Sequence, residues 1–390
     1  MRSREATPLI TRQYWLDRLD QAWKRAPVVW LSGVRRIGKT TLAREIPNAL
    51  FLNCDLPSTA RRLEDPERFF SSLEAATVVF DEVHQLSDPS RLLKIAADEF
   101  PQLRVLATGS STLAATQKFR DSLTGRKRTI HLLPVLSREL QAFGVSSIER
   151  RLLHGGLPEP LMAERTSPDF FAEWLDSYFA RDVQEMFNVA KRFEFLKLVE
   201  LLLRQSGGQL EVSSLAKHAA LSRPTVMNYL EVLQTTHLLT LIRPYHGGLR
   251  GEITQQAKAY GFDTGFISFC RGWRTLQPEN CGFLWEHLVL EALLARAGER
   301  GVYYWRDKQR QEVDFVVPMA DGGCDAIECK WDAASFSSRN LAAFRAAHPV
   351  GRNYVLSPQV GPPFVREMAG MQVFFANIED WEADRSSLGS

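Results

Sequence analysis

The stretch VVWLSGVRRIGKTTLAREI, residues 28–46, constrains this chain more than any other. An apolar strand, Val28 to Leu31, runs into a loop that spells G-x-x-x-x-G-K-[ST] from Gly33 to Thr40. A helix with apolar Leu42 and Ile46 comes next. Strand, glycine loop and helix in this order predict an α/β fold with a phosphate-binding loop. The glycines let the backbone curl, so that N–H groups along Gly33, Val34, Arg35, Arg36, Ile37, Gly38, Lys39, Thr40 and Thr41 face an anion at the helix N-terminus. Lys39 is expected to reach the β- and γ-phosphates of ATP, and Thr40 to hold Mg²⁺. The alternative is a glycine-rich turn without a ligand.

Later segments supply the rest of such a site. ALFLNCD, Ala49 to Asp55, predicts a second strand. Val78, Val79 and Phe80 form a wholly apolar run that suits a parallel strand buried on both faces. It ends in Asp81-Glu82, at the strand edge where open α/β sheets bind ligands. Asp81 is expected to support Mg²⁺ and Glu82 to polarise the attacking water, unless the two acids merely cap the next helix. The strand in LRVLATGSS ends in Thr108, Ser110 and Ser111. These hydroxyls either orient water and sense the γ-phosphate or serve as helix N-caps. Gly125-Arg126 precedes a further strand, expected at Thr129 to Leu133. Arg126 is a candidate arginine finger for a neighbouring subunit's nucleotide, or part of a solvated basic loop with Lys127 and Arg128.

An extra strand between the phosphate loop and the acidic strand resembles the layout of AAA+ type ATPases. SGVRRIGKTTL, VVFDEVHQL, LATGSS, SLTGR, LLPVLSRE and HGGLPEP (His154 to Pro160) together resemble one family of bacterial and archaeal ATPases. That ATPase is usually fused to a C-terminal domain of unknown function. The resemblance implies ATP hydrolysis and a homo-oligomer, such as a hexameric ring.

Bulk properties exclude other classes. At 390 residues the chain predicts two or three domains. No run approaches the roughly 18 apolar residues of a membrane span, and the N-terminus has no apolar stretch like a signal peptide. The five cysteines have no C-x-x-C spacing, so neither a zinc site nor a disulfide framework is indicated, and a cytoplasmic setting is expected. The net charge of +2 does not by itself argue for nucleic acid.

The middle reads as amphipathic helices, for example Phe170 to Phe187. A helix from Ser213, a turn at Ala220-Leu221-Ser222 and a second helix with Pro224 in its first turn come next. HLLTLIRPY then looks like a wing strand. The unit resembles a winged helix-turn-helix. Its second helix either enters a DNA groove with Arg223, Thr225 and Asn228 forward, or serves protein contacts.

The last third sets acids among aliphatics. A helix carrying Glu286 and Glu291 precedes a hairpin. Strand alternation puts Val313, Phe315 and Val317 on one face and Asp314 on the other. In AIECKW, Ile327, Cys329 and Trp331 point one way, and Glu328 and Lys330 the other. Asp314, Glu328 and Lys330 are expected to meet, with Glu286 joining from the helix. Acids collect Mg²⁺ or Mn²⁺, here through Asp314 and Glu328, and the lysine orients water. Helix-Glu, strand-Asp, then Glu-x-Lys resembles the PD-(D/E)XK nuclease core, which also serves proteins that hold DNA without cutting it. KAYGFDTGF, Lys258 to Phe266, is a further family-like stretch to which sequence reasoning assigns no mechanism.

The expected architecture is therefore a P-loop AAA+ type ATPase over 1–150, a helical lid over 151–205, a winged helix over 206–250 and an α/β nuclease-like domain over 251–385. The expected function is an Mg-ATP-driven ATPase acting on DNA, including branched DNA, with no membrane partner. The alternative is an ATP-dependent switch working through protein partners.

Overall fold

In the computed structural model the chain is described over residues 10–109, 117–165, 167–184, 187, 189, 191–245, 256–298, 301–319 and 322–387. Five short strands form the first sheet: β1 Val28–Ser32, β2 Ala49–Asn53, β3 Thr77–Asp81, β4 Arg104–Thr108 and β5 Lys127–His131. Their order is β2-β3-β4-β1-β5, and every pair is parallel. β1 and β3 are buried at all positions, as apolar runs in a sheet covered on both faces require. Val28, Trp30, Val78 and Phe80 pack to one side with Phe69, Phe70 and Phe119. Val29, Leu31 and Val79 pack to the other, into a core shared with the rest of the chain. Because the strands are parallel, their C-terminal ends share one edge. The glycine loop after β1 and the acidic end of β3 meet there. β5 starts two residues earlier than the sequence suggests, pairing from Val28↔Lys127 to Ser32↔His131.

The middle begins with helices Ile148–His154, Pro158–Met162 and Pro168–Tyr178. Prolines at their first turns and the Ser167 cap on the Asp169 N–H explain the last two starts. The periodicity from Phe170 predicts one helix to Phe187. Instead the α-helix ends at Tyr178 and continues as a π-helical turn, Phe179–Gln184. Such turns widen the backbone and are frequent at functional sites.

Helix Arg192–Arg204 leads to a three-stranded antiparallel ribbon. Its strands are β6 Gly208–Gln209, β7 Leu239–Pro244 and β8 Lys258–Gly261, with β8 in the middle. Helices Val212–Ala219 and Arg223–Thr235 lie between β6 and β7, joined through Ala220 at φ 55°. The domain boundary expected at 250 therefore falls within this ribbon, because β8 lies beyond it and still hydrogen-bonds to both neighbours. The ribbon is continuous with the C-terminal strands. β7 pairs in parallel with β9 Tyr303–Arg306, through Arg243↔Tyr303 and Pro244↔Tyr304.

The remaining strands are β10 Glu312–Pro318, β11 Cys324–Cys329, β12 Asn353–Leu356, β13 Phe364–Met368 and β14 Met371–Ala376. They complete a nine-stranded sheet ordered β13-β14-β12-β11-β10-β9-β7-β8-β6. Phe315, Ile327, Cys329 and Leu356 pack against the long helix Pro278–Ala297. Val313, Val316 and Val355 pack on the opposite face with Leu341 and Phe344 of helix Arg339–Ala347. The sequence expectation that Val313 shares a face with Phe315 is thus corrected. An irregularity in the β9–β10 register between Val313 and Val316 interrupts the alternation. The five cysteines are all free and buried. Among the described residues no helix is long and apolar enough to cross a membrane.

Candidate functional site

The glycine loop is held open by conformations that few residues adopt. Gly33 has φ 146°, and a Cβ there would meet the Leu132 carbonyl oxygen at 2.7 Å. Gly38, at φ 99°, caps helix Lys39–Arg44, and Arg36 also lies in the left-handed region at φ 60°. Val34 and Ile37 turn their side chains into the core, so they offer a ligand only backbone. Lys39 Nζ donates to the carbonyls of Gly33 and Val34 at 2.9 and 3.1 Å. Burial lowers its pKa, opposed by the charges of Glu82 and Asp182.

Asp81 is 5 % exposed and sits at the end of β3. It accepts from Thr40 Oγ1 at 2.9 Å and from Thr108 Oγ1 at 2.6 Å. The Thr108 hydroxyl also accepts the Glu82 N–H at 3.0 Å. That bond settles the role left open for Thr108: it positions both acids rather than capping a helix. Ser110 and Ser111 lie outside the described residues. Glu82 stands at φ 54°, a left-handed conformation costing an L-residue on the order of 1 kcal/mol. Its carboxylate faces the cleft, 3.3 Å from His84 Nδ1.

These groups border a cleft of about 1080 Å³, also lined by Thr41, Asp55, Glu159, Arg181 and Asp182. Sequence reading missed the last four, because they come from a loop, a short helix and the π-helical turn rather than from the motif. Arg35 Nε pairs with Asp182 at 2.9 Å, and Arg36 with Glu159 at 3.6 Å. The donor set fits a magnesium–nucleotide complex. A hydroxyl and a carboxylate already meet at Thr40 and Asp81, and the cradle at Gly33 has no room for a Cβ. Arg126 is elsewhere. It precedes β5 at the opposite edge of the sheet, partly exposed and paired with Asp98.

The stretches without assigned mechanism form a buried joint. Arg151, fully buried, donates to Val135 O at 2.7 Å, to Thr264 Oγ1 at 3.0 Å and to Glu291 at 2.5 Å. Asp263 accepts from the N–H of Gly156 at 2.6 Å and of Gly265 at 2.9 Å. A Cβ on Gly155 would strike the Asp263 carboxylate. HGGLPEP and KAYGFDTGF are thus two halves of one contact, linking the nucleotide cleft to helix Pro278–Ala297. Burial pushes Glu291 up to about 7 against the pull of Arg151.

The C-terminal acids do converge. Asp314 and Glu328 lie one step beyond the paired residues Phe315↔Ile327 of β10 and β11. Lys330 Nζ is 2.7 Å from Glu328 and 3.7 Å from Asp314, whose Oδ2 accepts the Cys329 N–H at 2.7 Å. Glu286 joins from the helix, accepting from Tyr260 OH at 2.6 Å. Burial and then Asp314 push Glu328 up to about 8. Burial works against charge on Lys330, but Asp314 and Glu328 outweigh it and raise its pKa. Two further residues enter that sequence reading missed: Glu312 and the buried Lys258, 2.5 Å apart. The fit to a metal differs from the expectation for Asp314 and Glu328. Among the described residues no three His, Cys, Asp or Glu side chains are arranged to hold an ion, since lysines stand between the acids.

On the helix Arg223–Thr235, Arg223, Met227 and Asn228 are exposed. Thr225 is turned inward to its cap, with its N–H and hydroxyl on Ser222 Oγ at 3.2 and 2.7 Å.

Residues 25–141 match the family described as AAA domain, and the N-terminal part has that α/β ATPase-like fold. Residues 145–277 and 281–365 match two domains of unknown function, DUF8612 and DUF4143. An uncharacterized protein of Mycobacterium tuberculosis is 29% identical over 346 residues, 85% of this chain and 77% of that one. One from Methanocaldococcus jannaschii is 22% identical over 320 residues, 73% of this chain and 70% of that one. Among solved structures, AMPPCP-bound DnaA from Aquifex aeolicus overlaps 58% of this chain and 92% of its own, at 12% identity and TM-score 0.29. A signal transduction ATPase with a tetratricopeptide repeat sensor from Pyrococcus horikoshii overlaps 72% and 45%, at 14% identity and TM-score 0.25. Overlaps of that size carry no argument about activity.

Proposed function

We propose that this chain is an Mg-ATP-hydrolysing AAA+ type ATPase that acts on DNA, branched DNA included, from a cytoplasmic setting. The observation that carries the ATPase reading is the set Lys39, Thr40, Asp81, Glu82 and Thr108 around one cleft. Bound Mg²⁺ would supply charge neutralisation at the phosphates, held by Thr40 and Asp81. Lys39 would exchange its two carbonyl partners for phosphate oxygens. Glu82, fixed by Thr108 through its backbone, would take the proton of the attacking water. Arg181 lies across the cleft and would stabilise charge on the nucleotide.

DNA is proposed as the partner through the winged helix, where Arg223 and Asn228 are exposed, and through the nuclease-like sheet, whose Asp314, Glu328 and Lys330 keep the order of a PD-(D/E)XK core. A ring, such as a hexamer, would bring Arg126 to a neighbour's nucleotide once it leaves Asp98. Arg126→Ala is expected to leave nucleotide binding intact and to lower hydrolysis in the assembled protein; unchanged turnover there refutes the finger.

A second reading is a switch acting through protein partners. The exposure of Phe193 and Met227, at 76% and 54%, favours it, since apolar exposure suits a protein contact. ATP hydrolysis measured alone, with linear duplex, single strand and a four-way junction separates the two. Stimulation by any DNA supports the first reading. A rate indifferent to all three supports the switch.

A further inference from the structure

Lys258 opens the middle strand of the ribbon and is 5 % exposed. Backbone partners flank it on both sides, Gln209 and Ile242. A lysine this deep is rare unless paired. Its Nζ lies 2.5 Å from Glu312 and 3.4 Å from Glu286. Burial works against its charge, yet Glu286, Asp314 and Glu312 together raise its pKa. Two residues along, Tyr260 donates to the same Glu286. The edge of β8 therefore delivers an ammonium and a phenol into acids contributed by helix Pro278–Ala297 and β10.

The acids are more than an ion-pair partner needs. Lys258 faces Glu286 and Glu312, while Lys330 serves Asp314 and Glu328. Glu328, 2 % exposed, still keeps Oε1 without a hydrogen-bond partner in the interior. Buried acceptors are rarely left so, and an oxygen of this kind, set among further carboxylates, points to a cation the protein atoms do not supply. Carboxylate oxygens are the donors that Mg²⁺ and Mn²⁺ prefer. An ammonium among them competes for the same oxygens.

We propose that Glu286, Glu312 and Asp314 form a divalent-cation site, for Mg²⁺ or Mn²⁺, whose cation position is held by Lys258 of β8. Metal enters only when this lysine leaves. The reading of the sheet as nuclease-derived serves here only to choose the ions, and the test below does not depend on DNA or on ATP hydrolysis.

The test is Mn²⁺ titration of the nucleotide-free full chain, with free Mn²⁺ followed by electron paramagnetic resonance. Four proteins are compared: wild type, Glu286→Gln, Lys258→Gln and the double variant. Any Mn²⁺ at Thr40 and Asp81 is common to all four and cancels. Lys258→Gln is expected to bind one Mn²⁺ per chain more than wild type, and the double variant to lose it. Wild type and Glu286→Gln are expected to bind alike. Reduced uptake by Glu286→Gln relative to wild type overturns the proposal, because metal then sits beside Lys258. So does a folded Lys258→Gln, checked by circular dichroism, that gains no Mn²⁺. If that variant folds only with Mn²⁺ present, the ion has replaced the ammonium and the proposal stands. If it folds under neither condition, the proposal falls.

Discussion

The nucleotide cleft and the C-terminal acidic cluster are both built from carboxylates and a lysine at the mouth of a sheet, yet the lysines are partnered differently. Lys39 holds two backbone carbonyls, neutral acceptors that a phosphate oxygen can replace at a gain in charge. Lys258 holds carboxylates, which no incoming anion can better. The first lysine is therefore kept for a ligand and the second is already satisfied. What separates a binding lysine from a structural one is the charge of the acceptor it rests on. Desolvation works against both ammonium groups and does not distinguish them.

The comparison breaks most easily at Lys39. Lys39→Ala should weaken ATP binding roughly a hundredfold, since a charge-assisted contact contributes about 1.5–3 kcal/mol; calorimetry showing unchanged affinity would undo the cleft assignment. Glu82→Gln should leave binding intact and slow hydrolysis by about 10²–10⁴-fold, read as retained nucleotide after a single-turnover chase. Lys258→Gln without divalent ions should lower unfolding free energy by about 3 kcal/mol, the cost of unpaired buried acids, and Mn²⁺ should restore part of it. Lys330→Ala should cost roughly half of that, because Lys330 is 27% exposed and solvent screens its loss. If both lysines cost the same, burial rather than partnering sets their roles. The smallest effect is in pH. Glu291 is pushed up to about 7 in the folded chain, so the folded state holds its proton more tightly than the unfolded one. Stability from this group is full below about pH 4.5 and is lost as pH rises through 7, by about 1 kcal/mol. Urea midpoints across that window should slope downward in wild type and flatten in Glu291→Gln.

Motifs with local geometry were legible. The loop from Gly33 to Thr40 and the Asp81-Glu82 edge depend on a few consecutive residues, so their spacing carries them. Glu286, Asp314, Glu328 and Lys330 were also foreseeable as a set, since helix and strand periods fix which side chains can meet. Lys258 was not, because its partners are 28 and 54 positions away and its own strand reads as ordinary. Arg181 and Asp182 escaped for a different reason: helical periodicity through Phe187 hid the π-helical turn that presents them. Val313 was misassigned because an irregular register leaves no trace in hydrophobic alternation.

The unbroken pairing of β7 with β9 has a mechanical meaning. A ribbon hydrogen-bonded edge to edge with a larger sheet cannot swing on a tether; it is one plate, stiff along its strands. The parallel ATPase sheet is a second plate, and the two are dovetailed at Gly155, Gly156 and Asp263, where no Cβ fits. A force applied at the exposed end of helix Arg223–Thr235 would be felt at β10 and β11 as torque, and would reach the glycine dovetail before anything else could yield.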